Sequence, residues 1–341
     1  MKVDAGIGFD ASTAGAAALS AETMGYDGIW SAETGHDPFF PLLQAAAATE
    51  RLELGTGIAV ALARNPMTMA MTANDLQLAS QGRFLLGLGT QIRPHITKRF
   101  SMPWSHPAAR MREYILALRA IWDCWNHGSK LDFRGDFYAH TLMTPFFNPG
   151  ANPHGPPKVF LAGVGPRMTE VAGEVADGFL CHPFTTERYL REVTIPALER
   201  GRARTGAVQD GVEVSAPCFV VTGTTDAETS QATDGIRQQI AFYGSTPAYR
   251  GVLELHGWVH LQDELNRLSK QGQWREMGEL IDDEMVDAFA VVAEPDNVAS
   301  GILDRFGDLV HRVSFYAPAR SDAEIWGAVI DGLRADDRGR R

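Results

Sequence analysis

Basic residues, cysteines and long apolar runs are all scarce in this chain, and each scarcity removes a class of protein. Lysine and arginine together number 31 against 42 aspartates and glutamates, a formal net charge of −11. A general nucleic-acid surface needs clustered cations to neutralise phosphates, so that class is excluded, and an anionic membrane is a poor partner for the same reason. The three cysteines, Cys124, Cys181 and Cys218, are odd in number and far apart. They read as reduced thiols, without a disulfide scaffold or zinc spacing. No run of about 18 apolar residues that could cross a membrane occurs, and Met1-Lys2-Val3-Asp4 leads directly into a strand-like run with no apolar leader segment. A cytoplasmic location is expected. A Gly-x-Ser-x-Gly nucleophile elbow is also missing, as is any His-x-His cluster, which argues against serine-type and metal-assisted hydrolysis.

What is present is a regular alternation. With 45% apolar and 21% charged residues the chain can bury a substantial core. Short apolar runs at 3–8, 28–33, 52–58 and 84–89 are separated by Ala- and Leu-rich helical patterns at 14–24, 38–49 and 67–79, one βα unit each. The helix starts are assigned to Ser12-Thr13, Pro38 and Pro66, and Gly25 to a helix end. Four further strands are read at 159–163, 178–181, 214–221 and 312–316. Eight parallel strands close a (β/α)8 TIM barrel. Two intervals are long enough to be insertions, 92–157 after strand four and 223–309 after strand seven. The first holds a small hairpin at 132–138 and a Pro- and Gly-rich linker at 144–157; the second holds helical patterns at 227–243, 252–268 and 299–306. The expected organisation is one domain over 1–335 with a frayed tail at 336–341.

Barrel chemistry sits where strands end, at the carboxyl face. Strand two exits through Glu33, Thr34, His36 and Asp37, which supply groups for proton transfer, although Asp37 serves equally well as a cap for the helix at Pro38. Strand four exits through Gly89, Thr90 and Gln91, followed by Arg93, His95, Lys98 and Arg99, a basic patch in an acidic protein. That patch suits either a ligand anion or a solvated loop. Strand five ends in Gly163-Val164-Gly165, and a helix begins at Pro166. Unpaired amides and the positive helix end meet there, the ingredients of a phosphate site, though a tight turn needs the same glycines. Strand six ends in Cys181 and His182.

The segment Ser80-Gln81-Gly82-Arg83-Phe84-Leu85-Leu86-Gly87-Leu88-Gly89 resembles the Ser-x-Gly-Arg-Phe-x-Leu-Gly-x-Gly motif of the luciferase-like family of flavin and deazaflavin oxidoreductases. The likeness extends over nearly the whole chain, with further matches at 28–37, 52–66 and 158–178. It implies a TIM barrel in which Glu33 faces the cofactor ring. Thr34 stands where sugar-phosphate dehydrogenases of the family carry histidine, leaving His36 as the substitute. The resemblance further implies a cis bond from Gly57 to Ile58 backing the ring, with Gly89, Thr90 and Gln91 along its edge. It puts the cofactor phosphate on Gly163, Val164 and Gly165, with Cys181 and His182 beside the cofactor chain. The details favour the branch that uses coenzyme F420, transferring a hydride between the deazaflavin C5 and a small organic substrate, with Trp104 walling an apolar pocket. The nearest rival is an FMN-dependent monooxygenase fed by a partner reductase; a rival of another class is a non-catalytic cofactor- or partner-binding barrel. A homodimer is expected from the family, with no residue assigned to the contact.

Overall fold

The computed structural model describes residues 1–205, 211–317 and 323–339. Eight strands form its centre: β1 (Lys2–Gly6), β2 (Gly28–Ser31), β3 (Glu53–Thr56), β4 (Phe84–Gly89), β5 (Lys158–Gly163), β6 (Gly178–Cys181), β7 (Glu213–Val221) and β8 (Arg312–Tyr316). Each pairs in parallel with the next, and β8 pairs with both β7 and β1, so the sheet closes on itself as a TIM barrel. Helices cover its outside, which explains why β4 is buried along its entire length. At Gly87 of that strand an added Cβ would lie 1.8 Å from the carbonyl oxygen of Thr56, while the Thr56 hydroxyl donates to the Gly87 carbonyl at 2.7 Å. Only glycine allows strands three and four to approach this closely.

Two short strands extend the ring. Ala59–Val60 adds to the end of β4, and Ala290–Val292 adds to the end of β7. The second was not anticipated. Its three residues follow directly on the helix Asp283–Phe289, so no separate apolar run marks them. The hairpin appears as Phe133–Arg134 paired with Ala139–His140. Its turn is clamped by the Glu113 carboxylate, which accepts from the amides of Asp136, Phe137 and Tyr138 at 2.6 to 2.8 Å. The second insertion carries its own apolar cluster, from Phe184 and Phe219 out to Ile236, Leu265 and Phe289. The single helical pattern expected at 252–268 is two helices, Arg250–Leu255 and Val259–Lys270, because Gly257 turns the chain at φ 79°. The first helix, Ala11–Met24, is capped by Asp10 instead of Ser12-Thr13; Gly25 ends it at φ 95°. The last helix, Ala323–Gly339, includes part of the expected tail, and residues 340–341 lie outside the described residues.

Two arginines organise the barrel. Arg83, from the motif at 80–89, donates to the carbonyls of Ala46, Thr49, Leu52 and Ser80 and to the Thr49 hydroxyl at 2.8 to 3.1 Å. It thereby satisfies the carboxyl end of the helix Phe39–Ala48, where a cation is favoured, and ties it to the start of β3 and β4. Arg312, fully buried at the start of β8, grips Asp4 of β1 through two bonds of 2.7 and 2.8 Å and reaches Glu53 of β3 and Glu213 of β7. Burial works against the Arg312 charge, but Asp4 and Glu53 outweigh it and raise its pKa above the ordinary arginine value. Burial pushes the Asp4 carboxyl upward against the pull of Arg312.

Burial also raises Glu53 and Glu213, yet Arg312 prevails and holds both below the usual carboxylate range. A carboxylate whose folded-state pKa is lowered adds stability above its unfolded pKa and loses it as pH falls. Glu213→Gln is expected to cost about 2 kcal/mol at neutral pH in urea unfolding. The gap from the unsubstituted chain should close as pH drops from about 5 towards 3. A gap independent of pH would show that Arg312 does not depend on the Glu213 charge.

Candidate active site

All eight strands are parallel, so their carboxyl ends share one face, and the residues just beyond them form a single mouth. At the β2 exit the Glu33 side chain is buried. Its Oε2 accepts from the Val60 amide at 2.7 Å and from Arg64 Nη1 at 2.6 Å. The Glu33 amide in turn donates to the Ile58 carbonyl at 3.2 Å, and the Gly57 amide to the Ser31 carbonyl at 2.7 Å. Residues 31–33 and 57–60 are therefore latched along their length. Arg64 completes the latch by pairing with Asp37 at 2.9 Å. Burial opposes the Arg64 charge, and Glu33 and Asp37 more than offset it, raising its pKa above the ordinary value. The pairing of Arg64 spans 31 residues to Glu33 and 27 to Asp37, which no local pattern reveals.

Asp37 does cap the following helix, accepting from the Phe39 amide at 2.9 Å, while its other oxygen pairs with Arg64. Thr34 and His36 are exposed at the rim. The His36 ring stacks on Phe9 with centroids 6.2 Å apart, and among the described residues it makes no hydrogen bond to Glu33. The Thr34 carbonyl accepts from Arg99, which bridges from the loop after β4.

The bond from Gly57 to Ile58 is cis. Ile58 is half-buried and lies against the end of β4, where a Cβ on Gly89 would come within 2.9 Å of its side chain. Glycine at 89 thus makes room for an apolar step at the mouth. Gln91 takes φ 60° just beyond it, its side-chain oxygen accepting from the Ile92 amide at 3.0 Å. Trp104 is half-buried against the barrel core. Two hydroxyls at strand ends, Ser31 Oγ of β2 and Thr222 Oγ1 after β7, are buried without a hydrogen-bond partner among the described residues. Such groups fit a polar ligand better than a closed core.

Across the mouth, Gly163-Val164-Gly165 leads from β5 into the helix Pro166–Val175. Gly165 caps that helix without a side-chain hydrogen bond, Pro166 has no amide hydrogen, and the first turn carries no acidic residue. Val164 is 37% exposed, and nothing lies within 4 Å of where a Cβ on Gly165 would sit. The turn is open and electrostatically ready for an anion. Behind it lies a cavity of about 20 Å³, room for one water, lined by Cys181, His182, Tyr189 and Tyr249. Burial raises the Cys181 thiol to about 12 and lowers His182 to about 4. His182 Nδ1 accepts from the Phe184 amide at 3.1 Å, which leaves the proton on Nε2, donated to the Tyr249 oxygen at 3.0 Å. The imidazole is neutral and packed between Tyr243 and Tyr249. Tyr243 and Tyr249 come from the second insertion, and sequence reading had not placed either in the site. No group of three metal-ligating side chains is found among the described residues.

Comparison with known proteins agrees with this architecture. The luciferase-like monooxygenase family profile matches residues 2–312. An uncharacterized protein of Mycobacterium tuberculosis is 57% identical over 334 residues, 98% of each chain. A putative coenzyme F420-dependent oxidoreductase of the same organism is 30% identical over 296 residues, 82% of this chain and 83% of the relative. Among solved structures, the coenzyme F420 dependent tetrahydromethanopterin reductase of Methanopyrus kandleri superposes with a TM-score of 0.76 over 97% of this chain and 98% of its own, at 20% identity, a likeness of fold. With its closed barrel, its latched strand-three exit and a family match that runs nearly end to end, the chain belongs to the luciferase-like monooxygenase family.

Proposed function

We infer that this chain is a coenzyme F420-dependent oxidoreductase that moves a hydride between the deazaflavin C5 and a small organic substrate. The observation that carries the reading is the meeting, at one barrel mouth, of an open anion-ready turn at 163–165 and an apolar step formed by Ile58 against Gly89. A coenzyme with a flat ring and a phosphate needs both features. The deazaflavin is favoured over FMN by the relative named as a putative F420-dependent oxidoreductase. When bound, the ring supplies the redox chemistry.

The protein's own residues would bind and orient. The turn Gly163-Val164-Gly165 takes the phosphate, with Cys181 and His182 lining the space behind it. Gly57 and Ile58 back the ring, and Gly89, Thr90 and Gln91 border its edge. Glu33 is held by Arg64 through Oε2 only, and Oε1 has no hydrogen-bond partner among the described residues. As a paired carboxylate it accepts a hydrogen bond or a proton from substrate, with Thr34 and His36 at the rim. On this reading the chain acts as one barrel domain, as a homodimer and without a reductase partner.

Equilibrium titration followed by fluorescence is expected to give micromolar binding of coenzyme F420 and far weaker binding of FMN; tight FMN binding with no response to the deazaflavin would overturn the assignment. Gly165 has extended backbone, φ −119°, and open space around its Cα, so Gly165→Val should fold with an unchanged melting temperature. The same substitution places a side chain over the turn and should weaken coenzyme binding by about tenfold or more, a loss of at least about 1.4 kcal/mol. Unchanged affinity would move the phosphate elsewhere.

A further inference from the structure

Arginines across this surface are mostly paired: Arg112 with Glu174, Arg188 with Glu192, Arg191 with Asp308, Arg200 with Glu170. The loop after β4 is different. Arg93, Lys98 and Arg99 lie within seven residues, all exposed, and among the described residues none has a carboxylate within 4 Å. In a chain of net charge −11 that is an unneutralised cationic island. It is also held in place. Ile96, in the middle of the segment, is completely buried; the Met102 amide donates to its carbonyl at 2.9 Å. The Arg99 guanidinium lies 4.8 Å over the Phe100 ring and donates to the carbonyl of Thr34, the residue after Glu33. A guanidinium has five donors in all, so Arg99 keeps others free for a ligand.

The position of the island matters as much as its charge. The 163–165 turn leaves β5, whereas Arg99 reaches the β2 loop, three strands away around an eight-strand ring. The segment itself leaves β4, beside β5, and through Arg99 it crosses to the β2 loop, to the residue that follows Glu33. A molecule lying beside Glu33 is therefore next to the residue that Arg99 contacts.

We propose that the segment 93–99 is the specificity element for the substrate, which carries a carboxylate or phosphate group bound by Arg93, Lys98 and Arg99. This assignment rests on the reading of the barrel mouth as the redox site. Cationic side chains on a fixed loop would attract such a group from solution and orient the rest of the molecule towards Glu33.

The test uses the full chain, alone and saturated with coenzyme F420, and two matched probes, succinate and its uncharged counterpart succinamide, with binding followed by ligand-observed NMR. Succinate is expected to bind about tenfold more tightly than succinamide, with the preference shrinking as salt rises past about 0.15 M. The double variant Arg93→Gln, Lys98→Gln should lose the preference while its affinity for the coenzyme stays within about twofold. Equal or absent binding of the two probes overturns the proposal, as does a preference that survives the double substitution. A large drop in coenzyme affinity would assign the cations to acidic groups of the coenzyme and overturn the substrate assignment. Should the coenzyme fail to bind the unsubstituted chain, the redox reading falls, and the succinate preference of the chain alone still decides the loop.

Discussion

The bidentate pair between Arg312 and Asp4 joins residues 308 apart in sequence, at the seam where the last barrel strand meets the first. Closing so long a loop is entropically costly, and only the complete ring returns that cost. The pair is not a simple gain, because both charges are stripped of water and a well-packed apolar pair could serve as well in free energy. What it adds is registration. One guanidinium contacts strands β1, β3 and β7 from β8, so a slip at any of these strands would cost the buried guanidinium one of its partners.

The mouth inherits its geometry from that closure. Once the strand ends are fixed, Glu33 can fasten the strand-three exit through Val60 and Arg64, and the apolar step at Ile58 is presented against the end of β4. Glu33 is thus a positioning group and a candidate chemical group in one side chain, its Oε2 committed to the latch and its Oε1 without a hydrogen-bond partner among the described residues. The same economy is seen on the other side, where His182 spends both ring nitrogens on Phe184 and Tyr249 and so fixes the wall behind the open turn.

Much of this was legible in the chain. Apolar runs bounded by glycine gave the eight strands because a strand buried on both faces has no polar positions to disguise it, as β4 illustrates. The cis bond from Gly57 to Ile58 was expected only from the family resemblance, whereas the 163–165 turn was reachable because its signal is local, a glycine pair before a helix-starting proline. The arginines were not. Arg83 stood out as part of a motif, yet its work as a brace depends on carbonyls 31 to 37 residues earlier. Arg64 and Arg312 make their decisive contacts across separations that carry no periodicity. The cap at Asp10 lies two or three residues before the expected Ser12-Thr13, since all three are good capping types, and Asp10 wins by accepting from the Ser12 amide. Tyr249 was missed for another reason: it lies in an insertion whose packing onto β7 and onto His182 is set by tertiary contact alone.

The central claim is that a flat, phosphate-bearing redox coenzyme sits with its phosphate on the turn at 163–165 and its ring on Ile58. A crystal structure of the complex with coenzyme F420 tests it most directly. The account predicts phosphate oxygens within hydrogen-bonding distance of the backbone amides of that turn and the ring in contact with the Ile58 side chain. Phosphate bound anywhere else on the barrel, or a ring lying away from residues 57–58, would contradict it.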